Sequence, residues 1–212
     1  MWPSASVLSK LIITHPDWIL DSSSSCNRNN EGTNTWNVLE LGSGCGLTGL
    51  VAAKIVSEEI KHSKNNTMVW LSDFNPTVVQ NIQRNLTLNQ IPTNVAKSLT
   101  FDFYQPPPID LQNSVNVILA ADVICKVDDA VAVAQTIYNT LTPGGLAIAV
   151  SANAKHRFGV DHFEHQCISN GLLIQTSNIS HDFLTDCGIQ QTSGYVENMT
   201  LTLFKITKPK IQ

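Results

Sequence analysis

Glu40-Leu41-Gly42-Ser43-Gly44-Cys45-Gly46-Leu47-Thr48-Gly49 follows the apolar pair Val38-Leu39 and runs straight into Leu50-Val51-Ala52-Ala53. A buried strand therefore turns through glycines into an apolar helix. Glycines at such a turn let the chain reverse sharply and let a ligand lie on bare backbone, while the helix start offers unpaired N–H donors. The stretch predicts a nucleotide-like ligand just outside the carboxyl end of a strand, where a doubly wound sheet reverses its winding.

Outward from this loop the pattern repeats. Strand-like segments at Trp36 to Leu41, Met68 to Ser72, Lys97 to Phe103, Val115 to Ala120 and Leu146 to Ser151 alternate with helix-like segments at Leu47 to Lys61, Pro76 to Leu88, Asp128 to Leu141 and Val160 to Asn170. Such alternation predicts a mostly parallel sheet with helices on both faces. Two further strands, near Leu172 to Thr176 and Met199 to Ile206, make seven and read as an antiparallel hairpin at one edge. Asn75 before Pro76 is an N-cap followed by proline at the first helical position. Thr142-Pro143-Gly144-Gly145 reads as a turn ahead of the fifth strand. The expected organisation is one domain over residues 1–212: an N-terminal helix to residue 20, a flexible polar loop over residues 21–35, and an α/β core over residues 36–212.

Gly44-x-Gly46-x-x-Gly49 also satisfies a dinucleotide fingerprint, which alone decides little. Glu40 tips the choice. A carboxylate at that strand end repels a pyrophosphate but serves an ammonium, and S-adenosylmethionine carries one. Asp73, at the end of the second strand, is suited to accept from ribose hydroxyls.

With E-x-G-x-G-x-G and an acid ending the second strand, the sequence resembles the seven-β-strand methyltransferases. Trp2-Pro3-Ser4-Ala5, ELGSGCGLTGL, Leu71-Ser72-Asp73-Phe74-Asn75, Phe101-Asp102-Phe103 and Ala120-Ala121-Asp122-Val123-Ile124 extend the likeness to family 16, the protein-lysine methyltransferases that modify elongation factor 2, calmodulin and certain chaperones. The resemblance implies a Rossmann-like methyltransferase fold, S-adenosyl-L-methionine as cofactor and a protein lysine as acceptor. By the same resemblance Trp2 lines the cofactor site, Gly42, Ser43, Gly44 and Gly46 form its glycine loop, and Asp73 binds ribose. Asp102 and Phe103 flank the adenine, and Ala121 touches the cofactor. Asp122 opens the family's D-x-x-Y motif and is the candidate catalytic residue, orienting the incoming ammonium. Here the tyrosine of that motif is Cys125, and Phe158 is a candidate replacement for the aromatic wall. The chain also starts at the tryptophan motif, without the family's upstream strands, as a shortened form or incomplete gene model would.

Composition narrows the rest. Thirteen Lys and Arg against 17 Asp and Glu leave a net charge of −4, with no broad basic surface for nucleic acid. No apolar run approaches the ~20 residues of a bilayer span. Five widely spaced cysteines without a C-x-x-C pair suit a reducing compartment, so a cytoplasmic or nuclear monomer is expected. His162, His165 and Cys167 suggest a metal, yet no fourth ligand is evident and none is assigned. The alternatives are a methyltransferase for another acceptor, a cofactor-binding protein without turnover, and a dinucleotide-dependent oxidoreductase.

Overall fold

The computed structural model describes residues 2–20, 35–60, 66–153 and 157–210. One seven-stranded sheet organises them, in the order β3-β2-β1-β4-β5-β7-β6. The strands are β1 (Trp36–Leu41), β2 (Thr67–Asp73), β3 (Ala96–Thr100), β4 (Val115–Ala121), β5 (Leu141–Ala152), β6 (Leu173–Asn178) and β7 (Leu201–Thr207). The first five run parallel, with β7 antiparallel to both β5 and β6. Chain order reverses between β1 and β4, and the glycine loop leaves β1 at that reversal.

Side chains alternate strictly between the two faces. Val38, Val117, Leu119, Ile148 and Val150 pack under α1 (Pro3–Thr14), α2 (Leu47–Ile60) and α3 (Pro76–Leu88). Leu39, Leu41, Ile118, Ala120 and Ala149 pack under α4 (Val127–Thr140) and α5 (Val160–Ser169). Burial on both faces is why β1 and β4 read as nearly continuous apolar runs. It also fixes the direction of Glu40, which shares the α2 face with Val38. The Asn75 side chain accepts from Thr77 N at 2.9 Å, capping α3 as its sequence predicts.

Four expectations need correction. The N-terminal helix ends at Thr14, and a separate 3-10 turn follows at Pro16–Trp18, because Pro16 cannot donate to the helix ladder. β3 stops at Thr100 rather than Phe103: Asp102 Oδ1 accepts from Tyr104 N at 2.9 Å and folds the chain into a turn. Thr142-Pro143-Gly144-Gly145 is not a separating turn but a bulge inside β5, since Leu141 already pairs with Val115 and Leu146 next pairs with Val117. Gly144, at φ +84°, takes the left-handed bend, and its N–H reaches Lys208 O at 2.7 Å. The β6 and β7 pair is antiparallel at the sheet edge, but its connection holds a further helix, α6 (His181–Asp186), capped by Ser180. Most of the polar loop expected over 21–35 falls on residues 21–34, outside the described residues.

At the amino ends of the parallel strands, Lys208 Nζ donates to Asn113 Oδ1 and to Tyr138 O, both at 2.6 Å. The second acceptor belongs to the last turn of α4, so this ammonium answers the negative end of that helix. Among the described residues no helix is long and apolar enough to cross a membrane.

Candidate active site

The site assembles at the carboxyl ends of β1 to β5. Glu40 is 3% exposed and lies beneath the first turn of α2. Burial pushes its carboxyl up to about 7, while the nearby Ser43 and Thr48 hydroxyls and the Gly49 N–H pull the other way. Glu40 Oε2, Ser43 Oγ and Thr48 Oγ1 are all buried, and the two hydroxyls lie near the carboxyl without meeting it in good hydrogen-bond geometry. A buried carboxyl satisfied only in part is costly, so a cationic donor reaching Glu40 would be favoured. Gly44 has φ +54°, and a Cβ built on it would meet nothing within 4 Å, so the loop opens onto free space.

β2 braces the loop from the next strand. Asp73 Oδ2 accepts from Gly44 N at 3.1 Å, and Oδ1 accepts from Asn75 N at 3.0 Å. Ser43 N donates to Ser72 O, and Ser72 Oγ donates to Glu40 O. Each Asp73 oxygen keeps a lone pair after these bonds, so the residue can hold the loop and still accept from a hydroxyl. Glu40 Oε2 is a fit for an ammonium, and Asp73 for a diol.

Beyond β3, Phe101 N donates to Asp73 O, which carries Asp102 and Phe103 toward the same edge. Phe103 is half-buried against the α4-side core, with its O accepting from Thr136 Oγ1. Tyr104 follows, and its hydroxyl donates to Asp129, whose other oxygen accepts from Cys125 N and Lys126 N. Burial, and after it that bond, hold the Tyr104 hydroxyl far above its ordinary range.

On the β4 and β5 side, Asp122 follows Ala121 in the left-handed region at φ +60°. Its carboxylate is held by Arg157: Nε donates to Oδ1 at 3.1 Å and Nη2 to Oδ2 at 2.7 Å, with the Asp122 side chain 2% exposed. The Arg157 guanidinium lies 5.0 Å from the Trp2 ring centre. Thus the carboxylate expected to meet a substrate ammonium already has a cation. Trp2 is brought to Arg157 and to Gly194. Cys125 is exposed, and Phe158 is 74% exposed. Cys167 lies in the core, its thiol pushed up to about 12 by burial, so it packs rather than reacts.

The structure therefore gathers Glu40, Gly42, Ser43, Gly44, Gly46 and Asp73 into one cradle. Asp102 and Phe103 stand to one side, and Ala121, Asp122 and Trp2 to the other. Arg157 and Tyr104 were not anticipated. The available signal for Arg157 was its place after the fifth strand as one of only three arginines in the chain.

Comparison with known proteins places the family and the fold. The sequence profile of a family described as lysine methyltransferase matches residues 1–166. Among curated proteins, none matches this sequence. The structure of the citrinin polyketide synthase CMeT domain is similar at a TM-score of 0.61 and 13% identity, over 86% of this chain and 49% of that one. A protein assigned as a sarcosine dimethylglycine methyltransferase, from Galdieria sulphuraria, gives 0.63 and 13%, over 96% and 86%. Phosphoethanolamine N-methyltransferase 2 of Haemonchus contortus, solved with phosphomonomethylethanolamine and S-adenosylhomocysteine, gives 0.58 and 14%, over 86% and 51%. The chain spans about half the length of the first and third of these. Identities this low establish the fold alone.

Proposed function

The chain belongs to the lysine methyltransferase family whose profile covers residues 1–166, and on that premise we propose that it methylates a lysine side chain of another protein. It is a methyltransferase whose cofactor is S-adenosylmethionine. When bound, this cofactor supplies a methyl on a sulfonium, which a neutral amine displaces while the S–C electron pair leaves on sulfur. The observation that carries the reading is the buried Glu40 carboxyl, only partly satisfied, beside an open glycine loop that Asp73 braces.

The residues divide the work as follows. Glu40 pairs with the ammonium of the cofactor, and that positive charge draws its carboxyl back to the ionised form. Asp73 accepts from the ribose hydroxyls with its remaining lone pairs. Asp102 and Phe103 border the base. The sheet edge holds these groups fixed, and alignment of amine and methyl supplies much of the acceleration. The acceptor lysine, ordinarily near pKa 10.4, must arrive neutral, and a dry cleft next to positive charge promotes loss of its proton. Asp122 with Arg157 forms the wall of the cleft on the β4 side. Elongation factor 2 and calmodulin are the first acceptors to test, with the protein acting as a cytoplasmic or nuclear monomer.

The test is incubation of the purified protein with methyl-labelled cofactor and a matched cell lysate, followed by mass spectrometry. Label on a lysine side chain supports the proposal. Label confined to small metabolites, or to another residue type, rejects it.

A further inference from the structure

We propose that Arg157 is a positioning residue that neutralises Asp122 at the mouth of the cleft, so that the sulfonium cofactor and its uncharged product are held with similar strength. The inference rests on the reading above that S-adenosylmethionine binds at the glycine loop. Its basis is the geometry of two loops. The guanidinium meets the Asp122 carboxylate through two bonds of 3.1 and 2.7 Å, and that side chain is 2% exposed. A planar fork on a carboxylate is directional as well as strong, so the pair acts as one neutral unit.

The surrounding backbone is shaped to keep it. Gly159 N donates to Cys125 O, and a Cβ on Gly159 would stand 2.1 Å from Lys126 O. The loop after β5 is thus pressed against the loop after β4 directly beside the pair. On the other side, Val123 Cγ1 lies 2.8 Å from where a Cβ on Gly42 would stand, so the residue next to Asp122 abuts the glycine loop itself. Trp2 covers the outer face of the guanidinium. Asp129, the other nearby carboxylate, is occupied by Tyr104, Cys125 N and Lys126 N.

Methyl transfer moves the positive charge from sulfur to the acceptor nitrogen as the C–N bond forms and the C–S bond breaks, its electron pair leaving on sulfur. A bare carboxylate here would tighten the sulfonium ligand relative to the neutral sulfide and would hold the substrate amine in its protonated form. Cancelling it with an internal cation avoids both. The family motif gives Asp122, but only the fold brings Arg157 to it from 35 residues away.

The experiment is calorimetric titration at pH 8 of S-adenosylmethionine and S-adenosylhomocysteine into the wild-type chain and into Arg157→Gln, Arg157→Lys, Asp122→Asn and the Arg157→Gln/Asp122→Asn double variant. The readout is the ratio of the two dissociation constants. Freeing the carboxylate in Arg157→Gln is expected to favour the sulfonium by about tenfold, and leaving the guanidinium alone in Asp122→Asn to disfavour it by a similar factor. The double variant, which removes both charges, is expected within about threefold of wild type, and Arg157→Lys, which keeps the charge but not the two-bond fork, between wild type and Arg157→Gln. A purely structural role for Arg157 would weaken both ligands together. Ratios unchanged in both Arg157→Gln and Asp122→Asn overturn the inference while leaving the proposed function intact. Failure of the wild-type chain to bind either ligand overturns the proposed function and the inference with it.

Discussion

Gly49 and Glu40 meet across the first turn of α2: a Cβ on Gly49 would lie 2.5 Å from Glu40 Oε2 and 2.4 Å from Leu71 Cγ. Both neighbours are buried, so neither can step aside at low cost. Gly49→Ala is therefore expected to lower stability by about 1–3 kcal/mol through overpacking. It should also abolish the thermal stabilisation given by S-adenosylhomocysteine. Differential scanning fluorimetry with and without that ligand checks both, and an unchanged melting temperature would refute the contact.

Glu40 carries a pH dependence. Its carboxyl is raised from 4.5 to about 7 in the folded chain, so the folded state keeps a proton that the unfolded state gives up. Stability from this group is present below pH 4.5 and is lost as pH rises toward 7, by about 3 kcal/mol in the cofactor-free protein. Glu40→Gln should equal the wild type near pH 4.5 and exceed it at pH 8 in urea denaturation, while its cofactor affinity falls. Parallel wild-type and variant profiles would show that the group is not buried as described.

Asp73 separates loop support from ligand binding. Asp73→Ala leaves the N–H groups of Gly44 and Asn75 without acceptors, at about 1–3 kcal/mol for each that stays dry. Asp73→Asn keeps one carbonyl oxygen and is expected to cost less stability. Both should weaken S-adenosylhomocysteine by more than tenfold in calorimetry, as expected for loss of a charge-assisted hydrogen bond. Retained affinity in either variant would remove Asp73 from the binding role.

Lys208 offers a control far from the chemistry. Lys208→Met removes the two 2.6 Å bonds at the end of α4 and is expected to cost about 1–2 kcal/mol. Cofactor affinity should not move, because the cradle lies at the other end of the strands. Denaturant midpoints measured beside calorimetry test the pair of statements, and a change in affinity without a change in midpoint would contradict them.

Thiol chemistry tests the packing. Cys45 and Cys125 are exposed, whereas Cys167 is fully buried. A maleimide pulse followed by peptide mapping should label Cys45, label Cys125 more slowly because burial raises its thiol, and label Cys167 only in denaturant. Prompt modification of Cys167 in the native chain would contradict the packing of α5.

The cradle was legible in the sequence because each part is local. A glycine loop needs a strand before it and a helix after it, and Glu40 and Asp73 sit at strand ends that apolar runs announce. The sevenfold sheet was legible for the same reason. What escaped depends on distant segments. Whether Thr142-Pro143-Gly144-Gly145 interrupts β5 or bulges within it is settled by Asn116 on β4 and by Lys208, just after β7, not by the tetrapeptide. Asp122 reads as an acid awaiting a ligand until the loop after β5 brings Arg157 to it. Helix α6 is too short for its periodicity to stand out.

The placement of β7 between β5 and β6 governs how this chain is made. Among the described residues β6 pairs only with β7, so it finds no neighbour in the sheet until residues 201–207 have been made. The edge of β5 stays bare over the same interval. During synthesis the nascent product carries two open hydrogen-bonding margins, each a template for pairing with the wrong segment or another polypeptide. These two pairings arrive in one late step, with β7 joining β5 on one side and β6 on the other, while β6 keeps its outer margin as a sheet edge.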